Sequence, residues 1–228
     1  ATAIAIGGPG AIFWMWLISL IGSASAFIES TLAQIYKEKD GDSFKGGPAY
    51  YMEKGLKKRW LGILFSVLII ISFGFAFNSV QSNTIANAFS SAFNIDVKIT
   101  GVILTTFTLV IIFGGVHRIA KITGFIVPVM AVAYLLLAAF IVCKNITELP
   151  SVIRMIFTNA FGFEQFLGGT LGAALLQGIK RGLFSNEAGM GSAPNAAAVA
   201  TVSHPVKQGF IQTLGVFTDT LIICTSTA

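Results

Sequence analysis

Charge is scarce in this chain. Only 11% of its 228 residues are Asp, Glu, Lys or Arg, against about 25% in an ordinary soluble domain. Hydrophobic residues make up 54%, and the mean hydropathy is +0.79. So few polar groups cannot cover a soluble core this apolar, and so much apolar content excludes a disordered chain. Cysteine and histidine are scarcer still, with two of each. Cys143 and Cys224 lie in apolar runs, which excludes a disulfide scaffold and gives no metal-site spacing. His117 and His204 lack partners at metal-ligand spacing and read as solvated loop residues. No HExxH, GxSxG, Walker A or CxxC pattern occurs. Gly189-Met190-Gly191 lacks the third glycine and the preceding strand of a dinucleotide fingerprint. Ser185 has no histidine near it in sequence, which argues against an intramembrane hydrolase. The chain reads as a non-enzyme without an organic cofactor.

What the chain does have is long apolar runs. A spanning helix needs about 20 predominantly apolar residues. Spans are expected over 9–35, 60–92, 97–115, 119–143 and 164–202, with a last one over 206–228. The first follows Gly7-Gly8-Pro9-Gly10, a loop signal that places proline well for a helix start. Phe13, Trp14 and Trp16 sit where aromatic rings favour the interface. The span over 60–92 is long enough to tilt. The mixed stretch 148–163 is expected on the membrane surface or in a loop. The chain opens at Ala1 without a signal-peptide pattern and closes inside Leu221-Ile222-Ile223-Cys224. It is therefore expected to be a piece of a longer protein.

The net charge of +5 would suggest a nucleic-acid partner in a soluble protein. In a membrane protein, basic residues instead collect in cytoplasmic loops. The polar loop 36–59 holds Lys37, Lys39, Lys45, Lys54, Lys57, Lys58 and Arg59, and Arg118, Lys121 and Lys207 fall on the same side two and four loops later. Only Lys98, Lys144 and Arg154 lie opposite. The loop 36–59 is thus expected in the cytoplasm, with a lipid bilayer and no nucleic acid as partner.

The stretch Gly178 to Pro194 carries the strongest signal for chemistry. It lies in a run otherwise fit to span, yet Gly182, Gly189, Gly191 and Pro194 oppose a continuous helix. Ser185, Asn186 and Ser192 can replace lost backbone hydrogen bonds. A helix interrupted at membrane depth exposes N–H and C=O groups, with half-helix ends that suit anions and cations. A Gly-rich, kinked packing helix is the alternative. Buried carboxylates mark functional positions in a membrane. Asp219 is open to such a role. Glu187 either contacts a ligand or forms a salt bridge with Lys180 or Arg181, and Glu29 reads as an interfacial charge. In the long span, Asn78 and Gln81 share a face. Gln81 either faces a cavity or bonds a neighbouring helix, and the second reading suits Asn87.

Four stretches resemble the sodium:alanine symporter family, the alanine or glycine:cation symporters. They are Gly7-Gly8-Pro9-Gly10-Ala11-Ile12-Phe13-Trp14-Met15-Trp16, Lys45 to Gly55 (KGGPAYYMEKG), Val80-Gln81-Ser82-Asn83, and Gly182 to Pro194 (GLFSNEAGMGSAP). The resemblance implies an all-α integral membrane transporter of the LeuT-like, inverted-repeat kind. On that map the chain runs over helices 2 to 7, with 164–202 as a discontinuous sixth helix and residues 1–6 as the tail of the first. It implies sodium-coupled symport of alanine, glycine or another small neutral amino acid across the cytoplasmic membrane, by alternating access. Sodium is then the coupling ion. Gln81, Phe184, Ser185, Asn186 and Gly189 are the implied substrate contacts, with Asn78, Glu187 and Asp219 in support. The cation ligands stay unassigned, because the break of the first helix and the eighth helix are not in the chain. A LeuT-like symporter with another substrate or with protons, a channel component and an intramembrane enzyme are the alternatives.

Overall fold

The computed structural model describes residues 2–41, 43–161 and 170–228, and these are overwhelmingly helical. A short helix, α1 (Thr2–Gly7), stops at Gly8, whose φ is +70°. After Pro9, α2 (Ala11–Ile35) runs for 25 residues. Its buried residues Ala11, Met15, Ser19, Gly22, Ala26, Ser30 and Ala33 recur every three or four positions. On a helix that spacing makes one stripe, and here all of it but Met15 is built of small residues. Ser19 and Ser23 satisfy their hydroxyls within the helix, each donating at 2.7 Å to a carbonyl three residues back.

The polar stretch after α2 forms a two-stranded antiparallel hairpin, β1 (Glu38–Asp40) and β2 (Ser43–Lys45), with Glu38 opposite Lys45. A short helix, α3 (Pro48–Lys54), follows, with proline in its first turn. Lys54 ties the two together, pairing with Glu38 at 2.9 Å and donating to the Tyr36 carbonyl at 3.2 Å.

Next comes a rod of 35 residues. It comprises α4 (Arg59–Ile71), a widened π-type turn over Ser72–Phe77 and α5 (Asn78–Phe93). It ends at Asn94, which adopts a left-handed conformation with φ +56°. Asp96 then caps α6 (Val97–Ile112) by accepting from the Lys98 N–H at 2.7 Å. α7 (Gly115–Lys144) carries Pro128 in its interior. His117, expected in a loop, falls in the first turn of this helix.

The mixed stretch from residue 148 is helical as far as it is described, as α8 (Leu149–Phe161). Its register is set by burial, because Ile156 packs with Ile12 and Met15 of α2, and the Phe157 and Phe161 rings lie tilted and edge-on against Phe13. Residues 162 and 163, and the first residues of the expected span 164–202, lie outside the described residues. The described part consists of α9 (Thr170–Asn186), an irregular turn and α10 (Ala193–Val199). The chain closes with α11 (Pro205–Phe217), a second π-type turn over Thr218–Cys224 and a final helical turn. His204 is exposed, as expected, and its Nδ1 also accepts from the Val206 N–H at 3.3 Å and caps α11.

Two compact units result, one from Ala1–Phe65 with Leu135–Ala228, the other Ser66–Tyr134. In the first, α9 and α11 pack along α2. Close approach there requires glycine. A Cβ on Gly178 would strike the Ala11 carbonyl and Trp14, and one on Gly182 would meet Ile18 at 2.6 Å. Gly-xxx-Gly spacing on small residues is how membrane helices gain contact without a hydrophobic driving force. In the second unit, α5 and α6 pack against each other. Among the described residues, four helices are long and apolar enough to cross a membrane: Ala11–Ile35, Arg59–Phe93, Arg118–Lys144 and Pro205–Thr227. The second and third are only 6% buried over their most apolar windows, so their surfaces are fit for lipid or further protein rather than water.

Candidate functional site

The site grows from the end of α9. Glu187 takes a left-handed backbone with φ +53°, followed by Gly189 at +79° and Gly191 at +77°. For glutamate that conformation costs roughly 1–2 kcal/mol, so surrounding bonds must hold it. The Glu187 N–H donates to Leu183 O at 2.9 Å, and the Met190 N–H to Glu187 O at 3.1 Å. The Ser192 hydroxyl donates to the Glu187 carboxylate. The Asn186 side chain accepts from the Ala188 N–H at 3.0 Å. The helix is therefore interrupted by a defined set of local bonds, and Pro194 opens α10 beyond it.

Glu187 forms no salt bridge with Lys180 or Arg181. Its partner is Ser192, because the left-handed turn folds the chain back on itself, while Lys180 projects outward.

The π-type turn of the last helix faces the end of α9. Asn186 donates from Nδ2 to the Thr220 hydroxyl at 3.1 Å, and that hydroxyl lies 3.5 Å from Asp219 Oδ2. Ser185 Oγ is 3.2 Å from Cys224 Sγ and also hydrogen-bonds Asp219. Behind them, Trp16 Nε1 donates to the Thr225 hydroxyl at 2.8 Å, which donates to the Thr220 carbonyl at 3.2 Å. Thr220 itself is fully buried. A π-type turn places a residue and its fifth neighbour together, which joins Thr225 to Thr220 and brings Cys224 towards Asp219. The result is a cluster of carboxylate, hydroxyl and amide groups between apolar helices. Such oxygen donors suit a hard cation or an ammonium group. Among the described residues there is no group of three or more His, Cys, Asp or Glu side chains fit for a metal ion.

Ser185, Asn186 and Asp219 are thus brought together, with Glu187 and Gly189 in the adjoining turn. Phe184 is half-buried one residue before them. Asn78 and Gln81 lie on α5, in the second unit. Asn78 donates to the Gly74 carbonyl of its own helix at 3.3 Å, and Gln81 is exposed. Both follow directly on the π-type turn 72–77.

Sequence reasoning missed three supports. Thr220 carried no signal beyond its place beside Asp219. Glu29, which reads as an interfacial charge from sequence, turns its carboxylate to the backbone N–H groups of Gly189 and Gly191. Its position within an apolar helix was the available signal. The third is spread over the stretch from Gln34 to Phe65. Pro48 and Phe65 crowd Gly191, and Gly46 sits against Ala198. Gln34 donates to the Ala197 carbonyl at 2.5 Å and the Ala200 carbonyl at 2.9 Å, and Lys37 to Ala200 O at 2.8 Å. The carbonyls that end α10 are thus capped by side chains from the end of α2. Burial lowers the Lys37 pKa. Burial and then the Glu29 charge push the Tyr51 hydroxyl up to about 12.

The profile of the sodium:alanine symporter family matches residues 1–228, the whole chain. The chain belongs to the sodium:alanine symporter family. Its relatives agree. Over its full length it is 66% identical to "Probable sodium/glutamine symporter GlnT" and 60% identical to "Amino-acid carrier protein AlsT", both of Bacillus subtilis, covering 48% and 49% of those proteins. It is 44% identical to "Sodium/alanine symporter AgcS" of Methanococcus maripaludis, covering 51% of it. The chain thus spans about half the length of the relatives it matches. The sodium:alanine symporter family is one of membrane transporters rather than enzymes, and its name gives sodium as the coupling ion.

Proposed function

We propose that this chain supplies about half of a sodium-coupled symporter for a small neutral amino acid in the cytoplasmic membrane, working by alternating access. The observation that carries the proposal is the interrupted α9–α10 helix, whose last α9 residues meet Asp219 and Thr220 through Ser185 and Asn186. A helix ending at membrane depth presents backbone groups and polar side chains where lipid would otherwise forbid them. An amino acid zwitterion requires an anion partner and a cation partner close together, and a broken helix beside an acid supplies both. Phe184, Ser185, Asn186 and Gly189 contact the substrate, with Glu187 and Asp219 in support. The family resemblance adds Gln81 and Asn78 of α5 as further substrate contacts. The fold is the LeuT-like inverted repeat, with the described chain as helices 2 to 7 and the loop 36–59 in the cytoplasm.

Alanine suits the family's name, while glutamine is named for the relative at 66% identity. The test is uptake by full-length protein in vesicles, with labelled alanine, glycine and glutamine, each with and without an inward sodium gradient. Accumulation of one of them only with the gradient supports the reading. Equal accumulation without sodium overturns the coupling, and a proton gradient in place of sodium would identify the proton-driven alternative.

A further inference from the structure

Turns that set successive backbone N–H groups around left-handed residues make concavities that bind anions. The interruption between α9 and α10 is such a turn, with Glu187, Gly189 and Gly191 at positive φ. Its concavity is already filled from within the chain. Glu29, projecting from α2, turns its carboxylate towards the N–H groups of Gly189 and Gly191. Its other oxygen, Oε2, is buried without a hydrogen-bond partner. Neither glycine N–H has a backbone carbonyl partner among the described residues. The helices are held close here: Gly22 of α2 lies against Ala188, and Gly189 against Ser25. The Tyr51 ring of α3 lies near enough for the Glu29 charge to act on its hydroxyl.

We propose that Glu29 is a built-in anion that sets the shape of the interrupted helix. Its carboxylate takes the place of an external anion in the N–H concavity and holds Gly189 and Gly191 in their left-handed turn. That turn aims Asn186 and Ser185 at Thr220 and Asp219 on the opposite side. Glu29 is a positioning residue, acting on substrate through the turn. A carboxylate is required because charge-assisted bonds from backbone N–H groups are roughly twice as strong as neutral ones. In the transport reading, Gly189 then meets substrate through its carbonyl, and the substrate carboxylate is left to other N–H groups of the interrupted helix. Glu29 shapes the turn whether or not the chain carries an amino acid; its action on substrate rests on the transport reading.

The test is chemical rescue in the purified full-length protein. Glu29→Ala empties the concavity and leaves room for a small anion. Its melting temperature should fall by about 5 °C or more. Sodium formate should restore at least half of the loss along a saturating curve. Sodium gluconate at the same concentration, too bulky for the space, should not, and the unmodified protein should respond equally to the two salts. A variant that melts like the unmodified protein, or one that formate and gluconate stabilise equally, overturns the proposal. Should the alanine variant fail to fold, Glu29→Gln keeps the volume and a neutral acceptor. Hydrogen exchange at residues 188–192 should then quicken about ten-fold, while α5 and α6 exchange as before. Unchanged exchange across that turn overturns the proposal equally.

Discussion

At the residue scale, the cluster around Thr220 divides the labour between two kinds of group. Thr220 and Asn186 are hydrogen-bonded to one another in a place from which water is largely excluded. Removing one partner strands the other, which costs about 1–3 kcal/mol. Asn186→Ala in the full-length protein should therefore raise the KM for substrate about ten-fold, as should Thr220→Val. Transport kinetics check this, and an unchanged KM in both variants would remove the pair from the site. Tyr51 makes a second prediction. Its pKa is about 12, above the ordinary value of about 10, because burial and the Glu29 charge oppose the tyrosinate. The folded protein keeps this proton over a range in which the unfolded chain has lost it, so stability falls as pH rises from about 10 to about 12. Tyr51→Phe should flatten that fall, as melting curves across this pH range would reveal.

At the element scale, α2 organises everything around it. Its stripe of alanine, glycine and serine admits α9 on one side and α11 on another. Such interfaces trade side-chain volume for backbone proximity, so volume added to them has nowhere to go. Gly182→Leu should lower the melting temperature of the full-length protein by several degrees, since its Cβ alone would come within 2.6 Å of Ile18. The same change at Gly74 or Gly101, where nothing lies within 4 Å, should cost far less. The two π-type turns are a second element-level feature. Each sits where a polar residue enters an apolar helix: Asn78 and Gln81 follow the first, and Asp219 and Thr220 lie within the second. No residue pattern in the sequence announces them, because one extra residue per turn changes no composition.

At the scale of the whole molecule, the apolar surface left by α4, α5 and α7 requires a bilayer or more protein around it. If each amino acid enters with one sodium ion, the membrane potential adds to the driving force. The gain is about 2.3 kcal/mol per 100 mV for each charge moved, which corresponds to about fifty-fold greater accumulation at equilibrium. Vesicles given an inside-negative potential should approach that ratio, and accumulation indifferent to potential would point to electroneutral exchange.

Composition and apolar run length by themselves determined that this chain is helical and membrane-bound, since charge this sparse leaves no other solvent for it. Local chemistry also marked the interruption near Gly189, because glycine, proline and the Ser185-Asn186-Glu187 run resist a continuous helix wherever they sit. The residues of the KGGPAYYMEKG stretch pointed to the family without saying what they touch. Tertiary structure decided the partners. Ser192 answers Glu187, where charge alone suggested Lys180 or Arg181, because a left-handed turn brings a near neighbour closer than the preceding helical turns. Glu29 reaches the turn because small residues let α2 and the interrupted helix approach. Thr220 joins Asn186 across 34 residues of chain through a widened turn. A sequence shows which groups are costly to bury. Only packing shows which group satisfies which, because that depends on distances between helices that no local pattern encodes.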